Sequence, residues 1–269
     1  MTITTITTHV EPTERAALEA ALERPFALAA LHDAQLTALV FPIETTLAEA
    51  NLPSWDLAKR EEEAVAQVIA AAQRRGIRCE ARARSSFAHG IGEVMADHLR
   101  VSDLGLIGLP RAPGAGQRML IGAAVFDGGR PVLLAPAAAP LALPPKRVVI
   151  AWDATPAAVR AVHGAMPFLR TAAETLVVTV SDDKALRQGQ SGIELCRLLA
   201  RHGARASFAA EQKSGRGVLG TLVAKAREVE GAMLVMGAVR HAPLHNLVFG
   251  SATTDLLDAA PPLPVLLAA

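Results

Sequence analysis

Short runs of apolar, often β-branched residues alternate along the chain with longer stretches whose apolar positions recur every three or four residues, the pattern of strands alternating with amphipathic helices. In the second half the runs Arg147–Trp152, Thr175–Val180, Ala204–Ala209, Ala232–Gly237 and Pro264–Ala268 predict strands. In the first half the corresponding runs are Ile3–Val10, Gln35–Phe41, Ile77–Ala83, Asp103–Gly108 and Pro131–Ala135. Such alternation requires crossover connections, and therefore a mostly parallel sheet flanked by helices. Thr155 followed by Pro156 predicts a helix start, a hydroxyl N-cap and then a proline whose missing N–H costs nothing in the first turn.

The two halves superimpose in sequence. Ile91, Val94 and Met95 have the spacing of a buried helix face, and Leu219, Leu222 and Val223 repeat it 128 residues later, with Gly92 and Gly220 at the same offset. Gly76 matches Gly203, Gly108 matches Gly237, and Arg130-Pro-Val-Leu-Leu-Ala-Pro resembles Leu263-Pro-Val-Leu-Leu-Ala-Ala. Several matches in one order indicate a tandem duplication of a five-stranded α/β unit. The prolines at 131, 136, 140, 144 and 145 cannot continue a helix and read as a strand followed by a linker, so the domains are expected at 1–140 and 141–269. The apolar strand Pro264–Ala268 would be an exposed edge unless covered, and proteins normally pair or protect such edges.

At 269 residues, 51% hydrophobic and 20% charged, the chain is long enough for two packed cores and too apolar to be disordered. Twenty-seven basic residues against 26 acidic ones, with 3% aromatics and no Tyr, argue against broad nucleic-acid binding by charge neutralisation or base stacking. No apolar run is long enough to span a bilayer, and the Thr-rich start lacks the pattern of a secretory signal, so no membrane role and a cytoplasmic location are expected. Cys79 and Cys196 fit neither a disulfide framework nor zinc spacing and are read as buried thiols.

The segment Leu234-Val-Met-Gly-Ala-Val-Arg-His-Ala-Pro-Leu-His-Asn-Leu-Val-Phe-Gly-Ser places a loop after an apolar strand and Gly250-Ser251 at the start of a helix. Unpaired amides at that helix start, the dipole, a glycine and a hydroxyl together suit a phosphate, at the strand ends where open α/β sheets bind ligands. A plain strand–loop–helix connection with Ser251 as N-cap satisfies the same residues.

This segment, with Arg147–Asp153 and the closing Pro-Val-Leu-Leu, resembles the universal stress protein family, whose nucleotide-binding members carry G-x2-G-x9-G-(S/T) before the last helix. Gly237, Gly250 and Ser251 match that motif, and Arg240 stands at its middle glycine. The resemblance implies a tandem protein of adenine nucleotide alpha-hydrolase-like, Rossmann-like domains. It implies a site for ATP or another adenine nucleotide in the second domain, with Asp153 ending the first strand against the adenosine and Val180 along the adenine. Arg240 either obstructs the phosphates or pairs with one. In the first half Glu11 replaces Asp153, and the segment after Gly108 is four residues shorter than the one after Gly237, so no phosphate cradle is expected there. The resemblance also implies pairing of the last strands between domains or between chains, so the Pro131 and Pro264 strands are expected to make such contacts and the chain to form a homodimer. The role expected is stress-response binding and regulation; an enzyme is not expected, since the chain offers no convincing base, nucleophile or metal site. The competing reading is a nucleotide-free interaction protein of the same fold.

Other patterns carry less. Gly215-Arg-Gly-Val-Leu-Gly220 spells a dinucleotide fingerprint but lies at the wrong crossover and lacks the acidic partner, while Thr221 stands where a P-loop needs lysine. His241 and His245 are separated by Pro243 and lack an evident third metal ligand, and Ser251, His245 and Asp255 lack a nucleophile elbow. Glu61–Glu63 reads as the solvated face of a helix ending near Arg75.

Overall fold

The computed structural model describes residues 2–43, 54–83, 90–181, 191–241, 248–249, 251–259 and 261–269, with backbone alone for 54, 181, 240–241, 248–249, 251–252 and 259. Strands β1 (Thr5–Val10), β2 (Gln35–Val40), β3 (Cys79–Ala83) and β4 (Leu104–Leu109) alternate with helices α1 (Arg15–His32), α2 (Ser54–Arg74) and α3 (Ile91–Arg100), and α4 (Ala115–Asp127) leads to β5 (Val132–Pro136). The pattern repeats as β6 (Arg147–Ala151), α5 (Pro156–Thr171), β7 (Glu174–Ser181), α6 (Ser191–Arg201), β8 (Ala206–Gln212), α7 (Gly217–Glu228) and β9 (Met233–Gly237). A short ribbon, β10 (Arg240–His241) with β11 (Val248–Phe249), precedes α8 (Ser251–Ala259) and β12 (Val265–Ala268). All ten expected strands are therefore present.

The chain packs as two compact units, Thr2–Gly108 with Pro113–Arg130, and Leu109–Ala112 with Pro131–Ala269. The first holds parallel strands in the order β3-β2-β1-β4. Ile6, Leu36, Leu39 and Leu106 line its interior beside Leu22 and Phe26 of α1 and Met95 and Leu99 of α3, each at most 3% exposed. The second runs β5-β12-β9-β6-β7-β8, parallel except for β5 against β12. This division departs from the expected line at 140/141. Leu133 stands opposite Leu266 in an antiparallel ladder, so β5 is buried with the second half although it follows the first in sequence. The apolar closing strand is interior, bonded to β5 on one side and β9 on the other.

The duplication has a backbone cause at its matched glycines. Gly76 and Gly203 end α2 and α6 with φ of +66° and +83°, and the following residues close each helix through Ile77 N to Ala72 O (2.9 Å) and Ala204 N to Leu199 O (3.0 Å). A left-handed residue at that position terminates a helix cheaply as glycine. The same closure explains why β8 starts later than expected: residues 203–204 belong to the helix cap, and the strand instead continues to Gln212 opposite Ser181.

Two smaller expectations fail. Cys79 and Cys196 are half-buried, Cys79 because β3 is a sheet edge; burial and the neighbouring Glu80 push its thiol up to about 11. Glu61 is 6% exposed while Glu62 and Glu63 face solvent, since three consecutive helical positions span too wide an arc to share one face.

Candidate functional site

In the second unit the chain runs outward from β6 through β7 to β8 and then crosses back to place β9 on the other side of β6. At such a reversal, beyond the carboxyl ends of the strands, here β6 and β9, open α/β sheets bind ligands. Asp153 follows β6, Gly237 ends β9, and the register pairing Ile150 with Val235 brings these strand ends to the same level.

The turn after β6 is held by its own polar groups. Asp153 Oδ1 accepts from Thr155 N (3.0 Å) and Thr155 Oγ1 (2.6 Å), and Thr155 Oγ1 caps α5 by accepting from Ala158 N (3.2 Å). The N-cap and the proline at the first helical position are as the sequence predicts. Between Asp153 and Thr155, Ala154 sits at φ +58°, a left-handed conformation that costs a non-glycine residue about 1–2 kcal/mol. Strain of this kind concentrates where a loop must present a fixed surface.

Gly237 has a packing reason. A Cβ there would lie 2.5 Å from Ala158 N and 2.7 Å from Ala157 C, so β9 approaches the first turn of α5 as only glycine allows. Gly237→Ala is expected to destabilise the protein by about 1–3 kcal/mol through overpacking against backbone that cannot yield. Chemical denaturation of parent and variant measures this, and an unchanged midpoint would contradict the close approach.

Arg240 lies in β10, opposite Phe249 of β11, and His241 faces Val248. Strand backbone suits any L residue, so the arginine at the motif's middle glycine costs no backbone strain. α8 begins at Ser251, as expected, whereas Gly250 and His245 fall outside the described residues. Val180 is 8% exposed in β7.

Trp152 was not singled out by sequence reasoning. Its indole Nε1 donates to Ser191 Oγ at 3.1 Å, and its carbonyl accepts from Thr179 Oγ1 at 2.9 Å, so the half-buried ring reaches from the end of β6 to the first residue of α6. Its place beside Asp153 was the available signal.

The remaining motifs resolve as local structure. Gly217 takes φ +77° at the start of α7, and Thr221 Oγ1 accepts from Ser214 N (2.9 Å) and donates to Gly217 O (2.8 Å), so the glycine-rich run is a closed turn. Among the described residues no group of three or more His, Cys, Asp or Glu side chains is placed to hold a metal ion. In the first unit the corresponding strand ends are braced: Glu11 Oε1 accepts from Ile43 N at 3.1 Å, and the buried Gln117 donates from Nε2 to Gly108 O at 2.7 Å.

No family model matches the chain, and no curated protein matches it. Solved structures do. A universal stress protein from Archaeoglobus fulgidus DSM 4304 aligns over 97% of each chain with a TM-score of 0.72 at 16% identity. A protein assigned to the universal stress proteins from Pseudomonas aeruginosa UCBPP-PA14 aligns over 99% of this chain and 93% of its own, with TM-score 0.61 and 18% identity. A functionally unknown protein from Pseudomonas aeruginosa PAO1 gives TM-score 0.60 at 17% identity, over 99% of this chain and 92% of its own. The two α/β units together thus carry the fold of universal stress proteins along essentially the whole chain.

Proposed function

We propose that the protein is a cytoplasmic, stress-response binding and regulatory protein that takes ATP or another adenine nucleotide in its second unit, without a catalytic step. The observation that carries this reading is the reversal of strand order, where the turn after β6 that holds Asp153 adjoins the end of β9 at Gly237. The segment after Gly237 leads to the start of α8, and a helix N-terminus, with its amides and dipole, suits a phosphate. Arg240, which stands at the motif's middle glycine, is assigned the role of pairing with a phosphate, since its charge suits one. Among the described residues no helix is long and apolar enough to cross a membrane. A homodimer is proposed as the assembly, to be measured by sedimentation.

Calorimetric titration with ATP and with adenosine tests the site. One ATP at most is expected per chain, because Glu11 and Gln117 brace the corresponding positions of the first unit. Arg240→Ala should weaken ATP by about 1.5–3 kcal/mol and adenosine much less. Two equivalent sites, or improved ATP binding in Arg240→Ala, would overturn the assignment. A second reading, a nucleotide-free interaction protein, draws support from the internal commitments of Asp153 Oδ1 and Gly237. Under it neither the purified protein nor any titration shows a nucleotide.

A further inference from the structure

A separate cleft of about 350 Å³ lies at the other end of the second unit's sheet. Its walls come from three segments: Leu109, which ends β4, with Arg111 beyond it; Pro136, which ends β5, with Ala137 and Ala138 beyond it; and Pro261 and Pro262 before β12. Because β12 runs parallel to β9, with Val265 opposite Leu234 and Ala268 opposite Gly237, the segment before β12 lies toward the start of β9, away from the strand end at Gly237.

The lining restricts what can bind. Three of its residues are prolines, which have no N–H, and Ala137 N is already spent on Leu109 O at 2.9 Å. A polar ligand body would lose its water hydrogen bonds there and find few donors in exchange, whereas a flat apolar body covers the pyrrolidine and alanine surfaces at no such cost. Arg111 is the one charged residue on the lining; it is exposed, and no ion pair among the described residues engages it. Its planar guanidinium matches a carboxylate in a two-bond fork. The Ala137–Leu109 bond and the fixed φ of the prolines hold the walls in place without a ligand, and the volume falls in the range of small-molecule sites.

We propose that this cleft binds a small carboxylic acid with a planar apolar body, the carboxylate on Arg111 and the body against the prolines. The site is independent of the proposed nucleotide site.

The test uses the full chain and 1-naphthoate as probe, with naphthalene-1-carboxamide as its uncharged isostere, followed by calorimetry. Saturable binding of one naphthoate per chain is expected, weakened at least about tenfold in Arg111→Gln and for the carboxamide, as follows from losing a charge-assisted contact. Ala138→Trp, which fills the exposed wall, should abolish binding while the circular dichroism spectrum stays that of the parent. Asp153→Ala should leave naphthoate binding unchanged, which separates this site from the nucleotide reading. Absence of saturable binding, equal affinity for the carboxamide, or indifference to both Arg111→Gln and Ala138→Trp would overturn the proposal.

Discussion

Removal of residues 263–269 is expected to leave the second unit unfolded and the protein insoluble. Val265, Leu266 and Leu267 are each 0% exposed, and β12 is bonded on both sides, to β5 and to β9. Fully burying one such side chain contributes about 1.5–3 kcal/mol. The three together are comparable with the whole stability of an ordinary domain, about 5–15 kcal/mol. The deletion also exposes the inner edges of β5 and β9, both apolar, and such edges template aggregation. Expression and size-exclusion chromatography of the truncated chain check this. A soluble product with the parent's hydrodynamic size and cooperative unfolding would show that the closing strand is dispensable.

The second large effect is loss of stability in mild acid, centred on His9 near the end of β1. Its Nε2 donates to Phe41 O at 2.8 Å, and its ring lies 4.5 Å from that of Phe41. Burial pushes the imidazole down to about 4 from 6.5, opposed in part by the hydrogen bond to Phe41. The folded state thus binds the proton less readily than the unfolded chain, so the neutral ring stabilises the fold fully above pH 6.5. That contribution is lost as the pH falls toward 4. A shift of this size corresponds to at most about 3 kcal/mol, less for a ring that keeps some contact with solvent. His32 acts with the same sign, since burial lowers its pKa as well. Urea denaturation at pH 7.5 and pH 4.5 should show a marked drop for the parent and a smaller one for His9→Gln, which keeps an N–H donor but does not titrate. Equal drops in the two proteins would remove His9 as the cause.

The strand–helix alternation, the duplication and the helix start at Thr155-Pro156 were all legible in the sequence, because each depends on local chemistry. Apolar periodicity marks a buried face, and Gly76 and Gly203 recur because both helices end in a left-handed turn. The sequence also marked Asp153 and Gly237 as special positions. It could not say that Oδ1 of Asp153 is engaged by Thr155, or that the space beside Gly237 is taken by the backbone of Ala157 and Ala158. The first is a local contact two residues along the chain, whereas the second depends on a helix meeting a strand 79 residues further along. The pairing of the Pro131 and Pro264 strands was expected, but its antiparallel register, Leu133 opposite Leu266, was not legible, nor was the cleft built from the end of β4, the end of β5 and the segment before β12. Residue type and period alone therefore determined which segments become strands and helices and that the unit is doubled. Which strand lies beside which, where a glycine is needed for close approach, and where Arg111 meets a proline wall were decided by tertiary packing, because contacts between distant segments leave no periodic trace in either one.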